Sequence, residues 1–161
     1  MKRFLLANYP APIQKALTSI IQKAFLDAEI RITTMVADHL DQLDIKNPDL
    51  LILDFAVNNN DGMILLKQVK DRYPGLPVLI ITACRKITDA VAAFNAGADG
   101  LLCEGAAFSE LALAARTILG GEKYIPVALG GPLHLMKRGS ATPTVMHLQK
   151  KDMINDDLNR A

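Results

Sequence analysis

The sequence has too few cysteines for a disulfide framework: two, Cys84 and Cys103, in 161 residues, where small secreted folds are stapled by several bridges. It also lacks an excess of either charge, because 18 Lys and Arg face 17 Asp and Glu and leave a formal net charge of +1. Such a chain has no field with which to gather a phosphate backbone or an anionic membrane surface, which excludes nucleic-acid binding by bulk charge. No apolar run approaches the ~18 residues of a membrane span. The opening MKRFLLANYP turns polar too soon for the apolar core of a signal peptide. These absences lead us to expect a reduced, cytoplasmic chain that does not enter a membrane. Internal repeats and low-complexity tracts are missing as well. The chain is 50% hydrophobic and 22% charged, enough for one core in one domain.

Hydrophobic spacing alternates between strand and helix patterns. Phe4 to Ala7 is a short apolar run, followed by Pro10 and Pro12 and then by Ile13, Leu17, Ile20, Ile21 and Phe25 at helical spacing. Ile30, Ile32 and Thr34 alternate with polar neighbours, as in a half-exposed edge strand, and DHLDQLD after Ala37 predicts a short polar helix. Leu50 to Phe55 and Val78 to Thr82 are nearly continuous apolar runs, too short for helices, which is the pattern of strands buried on both faces of a parallel sheet. Met63, Leu66 and Val69 predict a helix ending before Pro74, and Val91 and Phe94 one that stops at Gly97. The run Asn58, Asn59, Asn60, Asp61, Gly62 is expected to be a loop. A fifth strand, Gly100 to Cys103, leads to Ser109 as the N-cap of a helix from Leu111 to Leu119, closed by Gly120 and Gly121. Five strand and helix units over residues 1 to 121 make a doubly wound α/β domain, whose chemistry belongs at the carboxyl ends of the strands. Residues 122 to 161 form an extension or linker, rich in Pro, Gly and Ser, with one late apolar face from Val145, Met146, Met153, Ile154 and Leu158.

At those strand ends stand Ala7 and Asn8, Asp54, Thr82 and Ala83, and Cys103 and Glu104. The runs PDLLILDFAVNNNDGMILLKQVK, LPVLIITA and AFNAGADGLLCEGAAFSEL resemble the third, fourth and fifth strand segments of bacterial response-regulator receiver domains. GGEKYIP resembles the segment after the last helix in the branch with a helix-turn-helix output. The resemblance implies a flavodoxin-like, doubly wound five-stranded parallel sheet of strand order 2-1-3-4-5, with helices on both faces. It also implies a set of roles: an acidic pair after the first strand for Mg²⁺, a phosphoacceptor aspartate after the third, a hydroxyl after the fourth and a lysine after the fifth. Asp54 and Thr82 match their positions. The acidic pair falls on Ala7 and Asn8, the lysine on Glu104 and the aromatic switch residue of the fifth strand on Leu101, and these depart.

The departures carry a physical consequence. Transfer of a phosphoryl group to a carboxylate gathers anionic groups, so it needs cations to offset the developing charge. Asn8 offers a neutral amide and Ala7 no side-chain ligand, so Mg²⁺ binding is expected to be weak or lost. A carboxylate in place of lysine turns attraction into repulsion, worth roughly 4 kcal/mol for unit charges at 4 Å and an effective dielectric near 20. We therefore expect a pseudo-receiver: no enzyme, no cofactor, and an interaction module without stable aspartyl phosphate, in signalling or transcription regulation. Asp54 and Thr82 are then inherited polar residues bonded locally, and Leu101 lacks the amphipathic ring of a switch. An altered cation site of Asp54, Glu104 and Asn8 is a weaker reading.

The expected partners are proteins, with a homodimer foremost, docking on the last helix through Leu111, Ala115 and Ile118, where that helix has more apolar positions than one stripe needs. Three alternatives remain open: phosphorylation of Asp54 by a sensor kinase, a fragment of a DNA-binding regulator, and a flavodoxin-like cofactor binder. Pro10 and Pro12 argue against the last, since they remove backbone donors from a phosphate loop. No nucleic acid is expected to bind this chain alone, because the stretch from Thr142 is too short for a helix-turn-helix module, absent or truncated. Cys84 and Cys103 follow adjacent strands and are expected to be small buried thiols, with a redox switch as the alternative. His39, His134 and His147 show no metal-ligand spacing.

Overall fold

A computed structural model describes residues 1–34, 47–54, 60–83, 87–126 and 129. In chain order the elements are β1 (Lys2–Ala7), α1 (Ala11–Ala24), β2 (Ala28–Thr33), β3 (Leu50–Asp54), α2 (Asn60–Arg72), β4 (Val78–Thr82), α3 (Ile87–Asn95), β5 (Gly100–Cys103) and α4 (Ala107–Leu119). The five strands form one parallel sheet in the order β2-β1-β3-β4-β5. This is the doubly wound architecture expected from the sequence. The polar helix expected after Ala37 lies outside the described residues.

Period-two alternation sorts each strand between two apolar layers. Leu5, Leu51, Leu53, Val78, Ile80 and Leu101 pack under α2 and α3 with Leu65, Leu66, Val69, Ala93 and Phe94. Phe4, Leu6, Leu50, Ile52, Leu79, Ile81 and Leu102 face the other way, under Leu17 and Ile21 of α1 and Leu111, Ala114, Ala115 and Ile118 of α4. The middle strands are apolar on both faces because each face has a helix layer to bury against. Among the described residues β2 has one neighbour, and it leaves Ile32 half-exposed, as an edge strand should.

Three boundaries differ from those expected. α2 begins at Asn60, so Asn60, Asp61 and Gly62 belong to its first turn rather than to a loop; Asn and Asp favour helix starts for the same local-bonding reasons that favour turns. Asn58 and Asn59 lie outside the described residues. α4 begins at Ala107, and Ser109 sits inside its first turn, where its hydroxyl donates back to the Ala106 carbonyl at 3.0 Å instead of capping. The packed unit also continues past residue 121. Tyr124 is buried in the α1 and α4 layer, its N–H donates to the Asp99 carbonyl at 3.0 Å, and its carbonyl accepts the Leu101 N–H at 3.1 Å. Leu129 packs on the opposite layer. Packing among the described residues therefore extends to Tyr124 and Leu129.

The start of β5 is clamped from α2. Lys70 Nζ donates to Asp99 Oδ2 and to the Leu76 carbonyl, both at 2.9 Å, and the same Asp99 oxygen accepts the Val78 N–H at 3.0 Å. Nearby, Gly97 takes the left-handed φ of 104° that ends the turn after α3.

Candidate functional site

Because all strands are parallel, their carboxyl ends share one edge of the sheet, and the candidate residues meet there. Ala7 pairs with Leu53, so Asn8 and Asp54 are the next residues on neighbouring strands. Asp54 pairs with Ile81, and Thr82 with Cys103. The Glu104 N–H donates to the Thr82 carbonyl at 3.0 Å, extending that ladder one residue. The structure thus brings Asn8, Asp54, Thr82 and Glu104 to one rim.

Ala7 is fully buried and contributes a methyl group. Asn8 leaves the strand in the left-handed region, φ 69°, which asparagine tolerates, and its N–H donates to the Thr33 carbonyl at 3.2 Å. Thr82 is buried and Glu104 is exposed. Leu101 is not at the rim: it is fully buried in the α2 and α3 layer, two residues short of the end of β5.

Asp54 is half-buried, and burial first, then the Glu104 carboxylate, hold its carboxyl above the ordinary aspartate range. Among the described residues no lysine or arginine forms an ion pair with Asp54 or Glu104. Tyr9 joins this charge pattern and was not signalled by the sequence. Its ring is buried in the α1 and α4 layer, and its hydroxyl has no hydrogen-bond partner among the described residues. Its ionisation is pushed well up by burial, then by Asp54 and by Glu104. The only available cue was an aromatic directly before Pro10.

The arrangement is anionic and disfavours further negative charge. It does not fit the divalent-metal site that the resemblance implies, because the positions for a carboxylate pair hold a buried methyl group and an amide. Among the described residues, no group of three His, Cys, Asp or Glu side chains is placed to hold a metal ion.

Two expectations are corrected. Leu111, Ala115 and Ile118, expected to meet a partner, are fully buried between α4 and the sheet, because their spacing puts them on one helix face with Ala114. The exposed apolar side chains of α4 are Phe108 and Leu113. Cys103, expected as a free thiol, is disulfide-bonded. Cys84, His39, His134 and His147 lie outside the described residues.

Comparison with known proteins agrees with this geometry. A family model described as response regulator receiver domain matches residues 7–116. Over 81 residues, 49% of this chain, the sequence is 40% identical to the DNA-binding transcriptional regulator NtrC of Klebsiella pneumoniae, and over 80 residues it is 34% identical to the response regulator MprA of Mycobacterium avium. The matched part is 17% of the first relative and 35% of the second, so the chain spans a minor share of either. Among solved structures, a LuxR family DNA-binding response regulator from Silicibacter pomeroyi is similar at TM-score 0.67 and 28% identity, covering 80% of this chain and 99% of that one. The isolated receiver domain of RcsB from Salmonella enterica superposes at TM-score 0.67 with 16% identity, over 80% of this chain and 96% of that one, a likeness of fold alone.

Proposed function

The chain belongs to the response-regulator receiver family, and on that premise we propose that it is a pseudo-receiver: a receiver fold acting through protein contacts, without Mg²⁺-dependent phosphorylation of Asp54. One observation carries the reading. Glu104, at the position where the resemblance implies a lysine, places a carboxylate near enough to Asp54 to raise its pKa, after burial. An incoming phosphoryl group at Asp54 would add negative charge beside Glu104, and Ala7 and Asn8 supply no carboxylates to recruit a compensating cation. The module then works as a signalling component rather than a catalyst.

Its setting is a two-component pathway on the cytoplasmic side of the cell, and the DNA-binding relatives support a place in transcription regulation. The contact surface is the outer face of α4, where Phe108 and Leu113 are 50% and 55% exposed, and the first partner is a second copy of the chain. A near-zero net charge does little to oppose self-association.

A second reading, phosphorylation of Asp54 by a sensor kinase, is supported by Asp54 and Thr82 standing on adjacent strand ends as in the family. Incubation with a small phosphodonor and Mg²⁺, followed by intact-mass measurement, separates the two.

A further inference from the structure

The rim at the carboxyl ends of the strands carries two carboxylates that no cation offsets among the described residues. Asp54 is half-buried and Glu104 exposed, and among the described residues neither has a lysine or arginine as an ion-pair partner. The two carboxylates sense each other, since Asp54 is held above its ordinary range by burial and then by Glu104. Like charges held together at a sheet edge are a cost that an arriving cation would relieve. A second observation is independent of that pair. Tyr9, on the segment directly after β1, is 6% exposed, and its hydroxyl has no hydrogen-bond partner among the described residues. Burial, then Asp54, then Glu104 push its ionisation well up, so the fields of both carboxylates reach a phenol that stays neutral. Buried hydroxyls in folded proteins are nearly always bonded, and an unbonded one in the field of two carboxylates points to a donor that arrives from outside.

We propose that this rim is a docking site for a protein partner with a basic surface, one lysine ammonium of which is shared by Asp54, Glu104 and the Tyr9 hydroxyl. The inference rests on the reading of Asp54 as free of a phosphoryl group. An ammonium has three N–H donors and no acceptor, and the rim supplies three acceptor groups. A guanidinium is a planar fork that suits a single carboxylate better than three separate groups. A divalent metal is not matched, because two carboxylates and a neutral phenol are a poor ligand set for a hard cation.

The ammonium is delivered on a protein rather than as a free amine. Small ligands are held by burying most of their surface, and an exposed Glu104 beside a half-buried Asp54 leaves the rim open. An open acidic rim suits a side chain whose parent surface makes the remaining contacts, with charge complementarity guiding the approach. The same charge sets this surface apart from the outer face of α4, whose exposed side chains Phe108 and Leu113 are apolar.

The test titrates the full chain with a blocked lysine tripeptide, acetyl-Ala-Lys-Ala-amide, at neutral pH and fixed sodium chloride, and follows the side-chain carboxyl carbons of Asp54 and Glu104 by NMR. The expected result is a saturable shift of both carbons with a common dissociation constant, absent with the norleucine tripeptide. Asp54→Asn should weaken binding about tenfold, as loss of a charged hydrogen bond does, and Tyr9→Phe about threefold, as loss of a neutral one does. Glu104→Gln should weaken it about two- to fivefold, the range for an exposed ion pair. Asp71→Asn, exposed in the last turn of α2, should leave it unchanged. The same sample is weighed after incubation with acetyl phosphate and Mg²⁺. A phosphoryl adduct on Asp54 would overturn the reading on which the inference rests; no adduct and no saturable shift would overturn the inference alone. Unaltered affinity in Tyr9→Phe, or tighter binding of the arginine tripeptide, would each overturn the shared ammonium.

Discussion

The Tyr124 hydroxyl donates to Glu110 Oε2 at 2.6 Å, joining the segment after the last helix to the first turn of that helix. Tyr124 is one of the largest fully buried side chains, and its backbone bridges Gly100 at the head of β5. A segment with the composition of a linker is therefore part of the core.

Truncation after Gly121 should cost about 3 to 5 kcal/mol, the range for removing a large buried aromatic side chain, and Tyr124→Ala should cost a similar amount. Denaturant unfolding of the three chains measures this. A truncated chain as stable as the full one would make the segment dispensable.

Asp99 is the second structural test. Its Oδ2 serves Lys70 and the Val78 N–H at once, and both charged side chains are largely buried. Asp99→Ala leaves the Lys70 ammonium and a buried backbone donor without that acceptor, which should cost about 3 to 5 kcal/mol. Asp99→Asn keeps an acceptor and should cost less. Urea midpoints at equal slope would report the difference; indistinguishable midpoints for both variants would contradict the clamp.

Strands are the legible part of the chain. β3, β4 and β5 are short apolar runs with polar punctuation, and a parallel sheet covered on both faces leaves no other place for them. Positions at the rim are legible too, since a strand end is a sequence landmark: Asp54, Thr82 and Glu104 each close or follow an apolar run. The faces of α4 are harder to separate, because apolar residues occur all round it. Leu111, Ala114, Ala115 and Ile118 fall at i, i+3, i+4 and i+7, which is itself a core stripe, and Phe108 and Leu113 are the residues left over. Tyr124 and Tyr9 are illegible for a different reason. Each is a lone aromatic close to a proline and outside any strand or helix periodicity, and only the three-dimensional pairing with β5, or the charge of Asp54 and Glu104, gives it a place.

The Asp54 carboxyl makes stability depend on pH with a definite sign. Its folded pKa lies above the ordinary 3.8, through burial and Glu104, so its contribution is fully present below that value and is lost as pH rises through the folded pKa. Asp54→Asn should match the wild type in acid and become more stable towards neutral pH. The gain should stay below about 1 kcal/mol, because the rim is partly open to solvent. Unfolding curves across that range check it, and a variant less stable at neutral pH would reverse the sign.

Self-association through α4 predicts a dimer at micromolar concentration in sedimentation velocity. Leu113→Glu should shift it to monomer while changing stability by less than about 0.5 kcal/mol, as expected for an exposed position. Wild-type protein that remains monomeric would remove this surface from the account.

The most direct measurement is intact mass after incubation with acetyl phosphate and Mg²⁺, on wild type, Asp54→Asn and Glu104→Lys. The account predicts no phosphoryl adduct on the wild type, because Glu104 opposes the charge that a phosphoryl group would add at Asp54. An adduct of one phosphoryl group on the wild type that is absent from Asp54→Asn would contradict it and make the chain a working phosphoacceptor.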